Sequence, residues 1–196
     1  VIYIKKYDLI FIHLTKTGGE SALSALGSNQ KRHNPVSAII DVNFREKYAK
    51  QLKFYEVLSN YNWERYLERI LNNWNKPKIT FVRNPWDRLV SEFSYNKNKN
   101  IEPREFDEVI YSLLQCTEDI WKWSQYKWLV HEGKNYADKV YKLETDIMEF
   151  EEDFNVEYPH LNQSSREPYQ NYYNERTKKV VELIFADDIK EFGYEF

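Results

Sequence analysis

Two stretches of this chain share one local grammar, and together they restrict the fold more than any other feature. Residues 9–14 form an apolar run that breaks at Thr15-Lys16-Thr17-Gly18-Gly19 and resumes as Ser21, Ala22, Leu23, Ala25 and Leu26. An apolar run, a glycine turn and a helical periodicity, in that order, predict a buried strand turning directly into a helix. Residues 78–83, KITFVR, repeat the arrangement. They lead through Asn84-Pro85-Trp86-Asp87-Arg88 into Leu89, Val90 and Phe93 at helical spacing, and Pro85 suits a first helical position. Two such units joined by helices predict an α/β fold with a parallel sheet and helices on its faces. KVYKL at 139–143 reads as a third strand.

In a sheet of this kind ligands lie beyond the carboxyl ends of the strands, which is where Lys16 and Arg83 both fall. The first-turn N–H groups of a helix lack carbonyl partners and carry the positive end of its dipole. Gly18 and Gly19 can take the dihedral angles of a concave loop of N–H groups, Lys16 adds a full charge, and Thr17 and Ser21 add hydroxyls. The combination suits a phosphate or sulfate. A glycine-bearing turn with no ligand is the plainer reading of the same residues. The loop is not a Walker motif, because its lysine precedes the glycines. Ser91, two helical turns beyond Asn84, can face the same crevice as Arg83. Arg83 also admits a purely structural role, paired with Asp87 or Asp107.

Asn34-Pro35 predicts the start of a short helix through Val36, Ala38 and Ile39, leaving His33 in a loop just outside its N-terminus. Two readings of His33 stand: a surface histidine, or an imidazole kept neutral by the helix dipole and able to take a proton. Helical patterns run over 44–75, 106–114, 118–131, 144–154 and 175–185; the acidic residues of 149–153 read as a solvated face. Residues 97–100 read as a polar loop, and 160–173 form a loop dense in donors and tyrosines.

A chain of 196 residues suits one domain spanning 1–196. Its formal net charge of -3 gives no bulk attraction to nucleic acid or to an anionic membrane, so any anion must be held by a local cluster. Cys116 stands alone, which excludes an intrachain disulfide and a cysteine zinc site, and no metal-ligand spacing is present. No apolar run approaches a membrane span and the N-terminus has no signal core, so the expectation is a soluble, cytoplasmic chain. Aromatic content of 17% reads chiefly as core and rim packing, although such rings also stack on sugars and bases.

KTGG after the first strand, His33 ahead of a short helix, FVRNPWDRLVSEFSY, and a tail containing HLNQSSREPYQNYY and DDIKEFGYEF together carry a resemblance. The chain resembles the sulfotransferases that use 3′-phosphoadenosine 5′-phosphosulfate (PAPS), in particular the carbohydrate group with the heparan sulfate 2-O and 6-O enzymes and short bacterial relatives. The likeness covers residues 9–196 and is weakest over 42–75. It implies a P-loop-like three-layer α/β/α fold with a central parallel sheet. It also implies PAPS as donor, PAP (adenosine 3′,5′-bisphosphate) as product, no metal, and a carbohydrate or other small hydroxyl-bearing acceptor. By the same resemblance Lys16, Thr17, Gly18, Gly19 and Ser21 bind the 5′-phosphosulfate, with Lys16 also stabilising the leaving phosphate oxygen. Arg83 and Ser91 bind the 3′-phosphate, His33 is the acceptor-activating base, and Ser164, Ser165 and Arg166 belong to a late loop folding over the nucleotide.

Glu20 departs from the family pattern, which commonly has Thr there. A carboxylate facing a phosphate is repulsive. Glu20 therefore either points along the first helix turn, weakens the loop, or orients the acceptor. Two other functions compete. A nucleotide kinase would need a Walker loop and a Mg²⁺ carboxylate, and neither is present. A non-catalytic nucleotide- or glycan-binding module on the same fold draws its support from Glu20.

Overall fold

The computed structural model describes residues 1–30, 36–41, 63–115, 124–161 and 165–196. The expected His33 and the Asn34-Pro35 helix start lie outside these residues, as do Ser164, Cys116 and most of the predicted 44–75 helix.

Four strands form the main sheet in the order β1-β2-β3-β6. These are β1 (Ile2–Ile4), β2 (Leu9–Phe11), β3 (Lys78–Val82) and β6 (Lys139–Lys142). β2 pairs parallel to β3, and β3 parallel to β6 with Phe81 opposite Tyr141. The three strands expected from sequence are thus adjacent and parallel. The edge strand β1 was not anticipated. It runs antiparallel to β2, reversing through the short 3-10 turn Lys5–Tyr7 and a left-handed Asp8.

Side-chain alternation along the strands sends apolar groups to both faces, and helices cover each. On one face Phe11, Ile79, Phe81 and Tyr141 pack with Ala22, Leu23 and Leu26 of α1 (Gly19–Ala25) and its end, and with Phe150 of α7 (Ile147–Phe154). On the other, Ile10, Ile12 and Val82 share a core chiefly with six helices among the described residues. These are α2 (Val36–Ile40), α3 (Trp63–Leu71), α4 (Pro85–Asn98), α5 (Phe106–Leu113), α6 (Gln125–Leu129) and α8 (Glu175–Ile184). The result is a three-layer α/β/α sandwich, closed by α9 (Ala186–Phe192). Thr80, fully buried mid-strand, satisfies its hydroxyl by donating to the Ile12 carbonyl at 2.7 Å.

Three expected boundaries move. The described part of the 118–131 helix is only α6, after which Val130–His131 and Lys134–Asn135 pair as a small hairpin, β4 and β5. Glu132 and Gly133 both take positive φ, the requirement of a tight two-residue hairpin turn. The 144–154 helix begins only at Ile147, because the Asp146 carboxylate accepts from the Lys142 N–H at 2.7 Å and ties the chain into a turn. α4 runs on through Asn98, into the expected 97–100 loop.

Candidate active site

The loop from β2 into α1 has the shape of an anion cradle. Lys16 and Gly18 take left-handed φ of +60° and +74°, while Thr17 and Gly19 between and after them do not. Alternation of this kind turns successive N–H groups toward one concavity. No side chain caps α1. A Cβ on Gly18 would stand 2.3 Å from the Tyr158 hydroxyl and 2.6 Å from Leu143; one on Gly19 would stand 2.3 Å from the His13 ring. The Tyr158 hydroxyl donates to the Gly18 carbonyl at 2.8 Å, and the Leu161 N–H donates to Ser21 Oγ at 3.0 Å. The segment at 158–161 therefore clasps the loop from the far side.

Lys16 projects toward α4. Its Nζ lies 3.4 Å from the centre of the Tyr95 ring and 4.0 Å from the Glu92 carboxylate. Burial pushes the Lys16 pKa down, while the negative charges of Glu92 and, more weakly, Glu20 oppose the shift. Glu20 lies in the first turn of α1, where the helix dipole favours a carboxylate, and it also lines the cleft.

The second strand-turn-helix unit brings Arg83 to the same place. Arg83 donates from Nε to Asp87 at 2.7 Å and from Nη1 to the Lys16 carbonyl at 3.2 Å. Its pairing with Asp87 is the structural role that the sequence allowed; Asp107 instead accepts from Asn174 at 2.8 Å. Arg166 pairs with the other oxygen of Asp87, so two guanidinium groups share one carboxylate, while Glu144 lines the same cleft and feels the Arg83 charge. The backbone of Arg83 is held by a buried amide, with its N–H donating to Gln125 Oε1 at 2.8 Å and its carbonyl accepting from Gln125 Nε2 at 2.8 Å. Gln125 is held in turn by Asp188, which also accepts from Ser124 Oγ and the Tyr126 N–H. Burial pushes the Asp188 carboxyl up, and those donors oppose it.

Lys16, Glu20, Arg83, Asp87, Glu92 and Arg166 line one open cleft of about 1060 Å³ at the carboxyl ends of β2, β3 and β6, with Gln125 and Asp188 behind it. A family profile described as Sulfotransferase family matches residues 1–195. The chain belongs to the sulfotransferase family. Sulfotransfer is accordingly its class of chemistry. A crystal structure of a sulfotransferase from Alicyclobacillus acidocaldarius aligns over 96% of this chain and 85% of that one, at 14% identity and a TM-score of 0.39. No curated relative matches the chain.

Of the residues that the sulfotransferase resemblance singled out, Lys16, Gly18, Gly19, Ser21, Arg83, Ser91 and Arg166 all line the cleft. Thr17 does not. Its side chain is buried and its hydroxyl donates to the Leu14 carbonyl at 3.3 Å, which leaves only its backbone to face a ligand. Ser165 is exposed and outside the lining, and His33 lies beyond the described residues. Sequence reasoning missed Glu92, Tyr95, Tyr158 and the buried Arg88. The first two share Ser91's face of α4 at helical spacing, a signal that was available. Arg88 stood in the sequence as a lone cation between Trp86 and Leu89, but nothing local names its partner. Among the described residues, no helix is long and apolar enough to cross a membrane.

Proposed function

We propose that this cleft binds PAPS and that the chain transfers its sulfuryl group to a hydroxyl of a carbohydrate or another small acceptor. The observation that carries the reading is the meeting of two cationic, anion-shaped elements in one crevice. The cradle at residues 16–19 opens beside Lys16, and Arg83 reaches across to the Lys16 carbonyl at 3.2 Å. A donor with phosphates at both ends of one nucleoside matches two such elements. The donor set also fits, since side chains at Gly18 and Gly19 would displace the walls of the cradle.

In this reading the loop amides and Lys16 hold the 5′-phosphosulfate, and Lys16 meets the charge that grows on the leaving phosphate oxygen. Arg83 and Ser91, with Arg166 beside them, hold the 3′-phosphate. PAPS supplies an activated sulfuryl group for in-line displacement, a reaction served mainly by positioning and charge stabilisation. His33 takes the proton of the acceptor hydroxyl; that assignment rests on the resemblance alone. Chain-wide, residues 1–196 act as one sulfotransferase domain.

Calorimetric titration with PAP, using AMP as control, tests the donor. Micromolar binding of PAP with much weaker binding of AMP supports both phosphate sites; no binding to either removes the reading. His33→Ala tests the base. It should spare PAP binding and lower turnover by about a hundredfold or more. Tight PAP binding with no turnover of any acceptor would favour the non-catalytic module.

A further inference from the structure

Arg88 is a charged side chain only 3% exposed, and it is absent from the lining of the cleft. Burying a guanidinium is costly unless its donors are used. Two of them converge on one residue of the first loop. Nε donates to the Thr15 carbonyl at 2.8 Å and Nη2 to Thr15 Oγ1 at 2.9 Å. Thr15 immediately precedes Lys16, whose left-handed φ of +60° is unfavourable for a residue with a Cβ and must be imposed by its surroundings. From the cleft side the cradle is held at the Lys16 carbonyl by Arg83 and at the Gly18 carbonyl by Tyr158, so Arg88 supplies the hold on the residue before the turn.

We propose that Arg88 is the positioning residue of the anion cradle: by gripping Thr15 from beneath, it fixes the turn at Lys16 and sets the direction of the amides at 16–19. This rests on the donor-binding reading above. The fork of an arginine matches a carbonyl and a hydroxyl of the same residue, whereas a lysine offers a single point charge. The cation also lies under the loop in a low-dielectric setting, where its field acts on a bound anion with little screening. Burial lowers the Arg88 pKa to about 10, and the charges of Asp188 and Glu92 oppose that shift. Because Arg88 belongs to α4, the grip also ties the first loop to the helix that begins beside Arg83. Together with the Arg83 bond to the Lys16 carbonyl, this grip holds the two phosphate-facing elements in fixed relation.

The test combines a measurement without ligand and one with it, on Arg88→Gln, Arg88→Lys and Thr15→Val. Backbone ¹⁵N order parameters for residues 16–19 should fall from about 0.85 toward 0.6 in Arg88→Gln and in Thr15→Val, with the strands unchanged. Arg88→Lys should recover only part of the order. In titrations, Arg88→Gln should weaken PAP and adenosine 5′-monophosphate by about ten- to a hundredfold, and leave adenosine 3′-monophosphate nearly unaffected. Unchanged order parameters, or equal losses for the 5′- and 3′-monophosphates, would overturn the proposal. Should Arg88→Gln fail to fold, Thr15→Val removes the hydroxyl half of the contact from the loop side, leaving the carbonyl bond, and decides alone. Failure of the unmodified protein to bind PAP removes the donor reading, and the order parameters still decide the role of Arg88.

Discussion

Gly19 is required by its neighbour and not by its backbone. Its φ is not in the left-handed region, yet a Cβ there would press to 2.3 Å from Cδ2 and 2.6 Å from Nε2 of His13, a ring that is 1% exposed and has no room to retreat. Gly19→Ala should therefore destabilise by about 1–3 kcal/mol through overpacking and weaken PAP binding as the loop shifts. Gly27→Ala is the contrast, since φ is +74° with nothing within 4 Å of the added carbon. Only backbone strain of about 1 kcal/mol should appear there, with binding unaffected. Urea denaturation beside PAP titration separates the two, and a Gly19 variant as stable as wild type would contradict the packing argument. Lys16 gives a second residue-level expectation. Its charge is needed to hold an anion, so PAP affinity should fall as pH rises through its lowered pKa. Glu92 favours the ammonium form, and Glu92→Gln should move that fall to lower pH while tightening binding near neutrality. Titrations from pH 7 to 10 that place both falls together would exclude Glu92 as the partner that matters.

At the scale of elements, α4 determines the site, and its start was legible. Asn84 accepts from the Trp86 and Asp87 N–H groups at 3.0 and 3.3 Å, and Pro85 sits in the first turn, as Asn-Pro before an apolar run implies. Asn84 does more than cap. Its Nδ2 donates to the Glu195 carbonyl at 2.8 Å and fastens the C-terminus over the end of β3. Asn84→Ala should cost about 1–2 kcal/mol. Asn84→Asp should keep the cap and lose only the tether, so thermal unfolding ought to rank wild type above Asp above Ala; an Asp variant no better than Ala would deny the cap its share. β2, β3 and β6 were legible for the same reason as α4, because each is a short run ending in turn chemistry, whereas the edge strand β1 carried no such signal. The hairpin after α6 was not. The aromatic run of 118–131, with Trp121, Trp123, Tyr126, Trp128 and Leu129, reads as one helix through to His131, and the turn at Glu132-Gly133 carries only one of the usual hairpin residues. Arg88 and Tyr158 were illegible for another reason. Their partners lie 73 and 140 residues away, and no local pattern encodes a contact of that range.

Across the whole molecule the tyrosines give the clearest global expectation. Much of the aromatic surplus is core: Phe81, Tyr141, Phe150 and Tyr158 pack ring against ring over one face of the sheet. Burial raises the pKa of Tyr158 to about 12 and lifts those of Tyr141, Tyr173 and Tyr194 as well. An unfolded tyrosine ionises near pH 10, so above that value the unfolded chain sheds protons that the folded chain keeps. Stability must then fall with rising pH. The contribution of each ring is complete below pH 10 and is lost as pH climbs toward its folded value. Each adds a downward slope of at most about 1.4 kcal/mol per pH unit, and the four act in the same direction. Arg88, Lys16 and Lys78 work against them, since burial has lowered their pKa values, while Lys139 and Tyr169, whose values are raised, act with the four. Urea midpoints at pH 9, 10 and 11 should drop progressively. Tyr194→Phe, which removes a hydroxyl donating to Glu144 at 3.2 Å, should make the slope shallower even though it begins from a lower stability. Midpoints that stay level to pH 11 would mean that these phenols reach water in the folded state, and that the core does not close over the sheet as described.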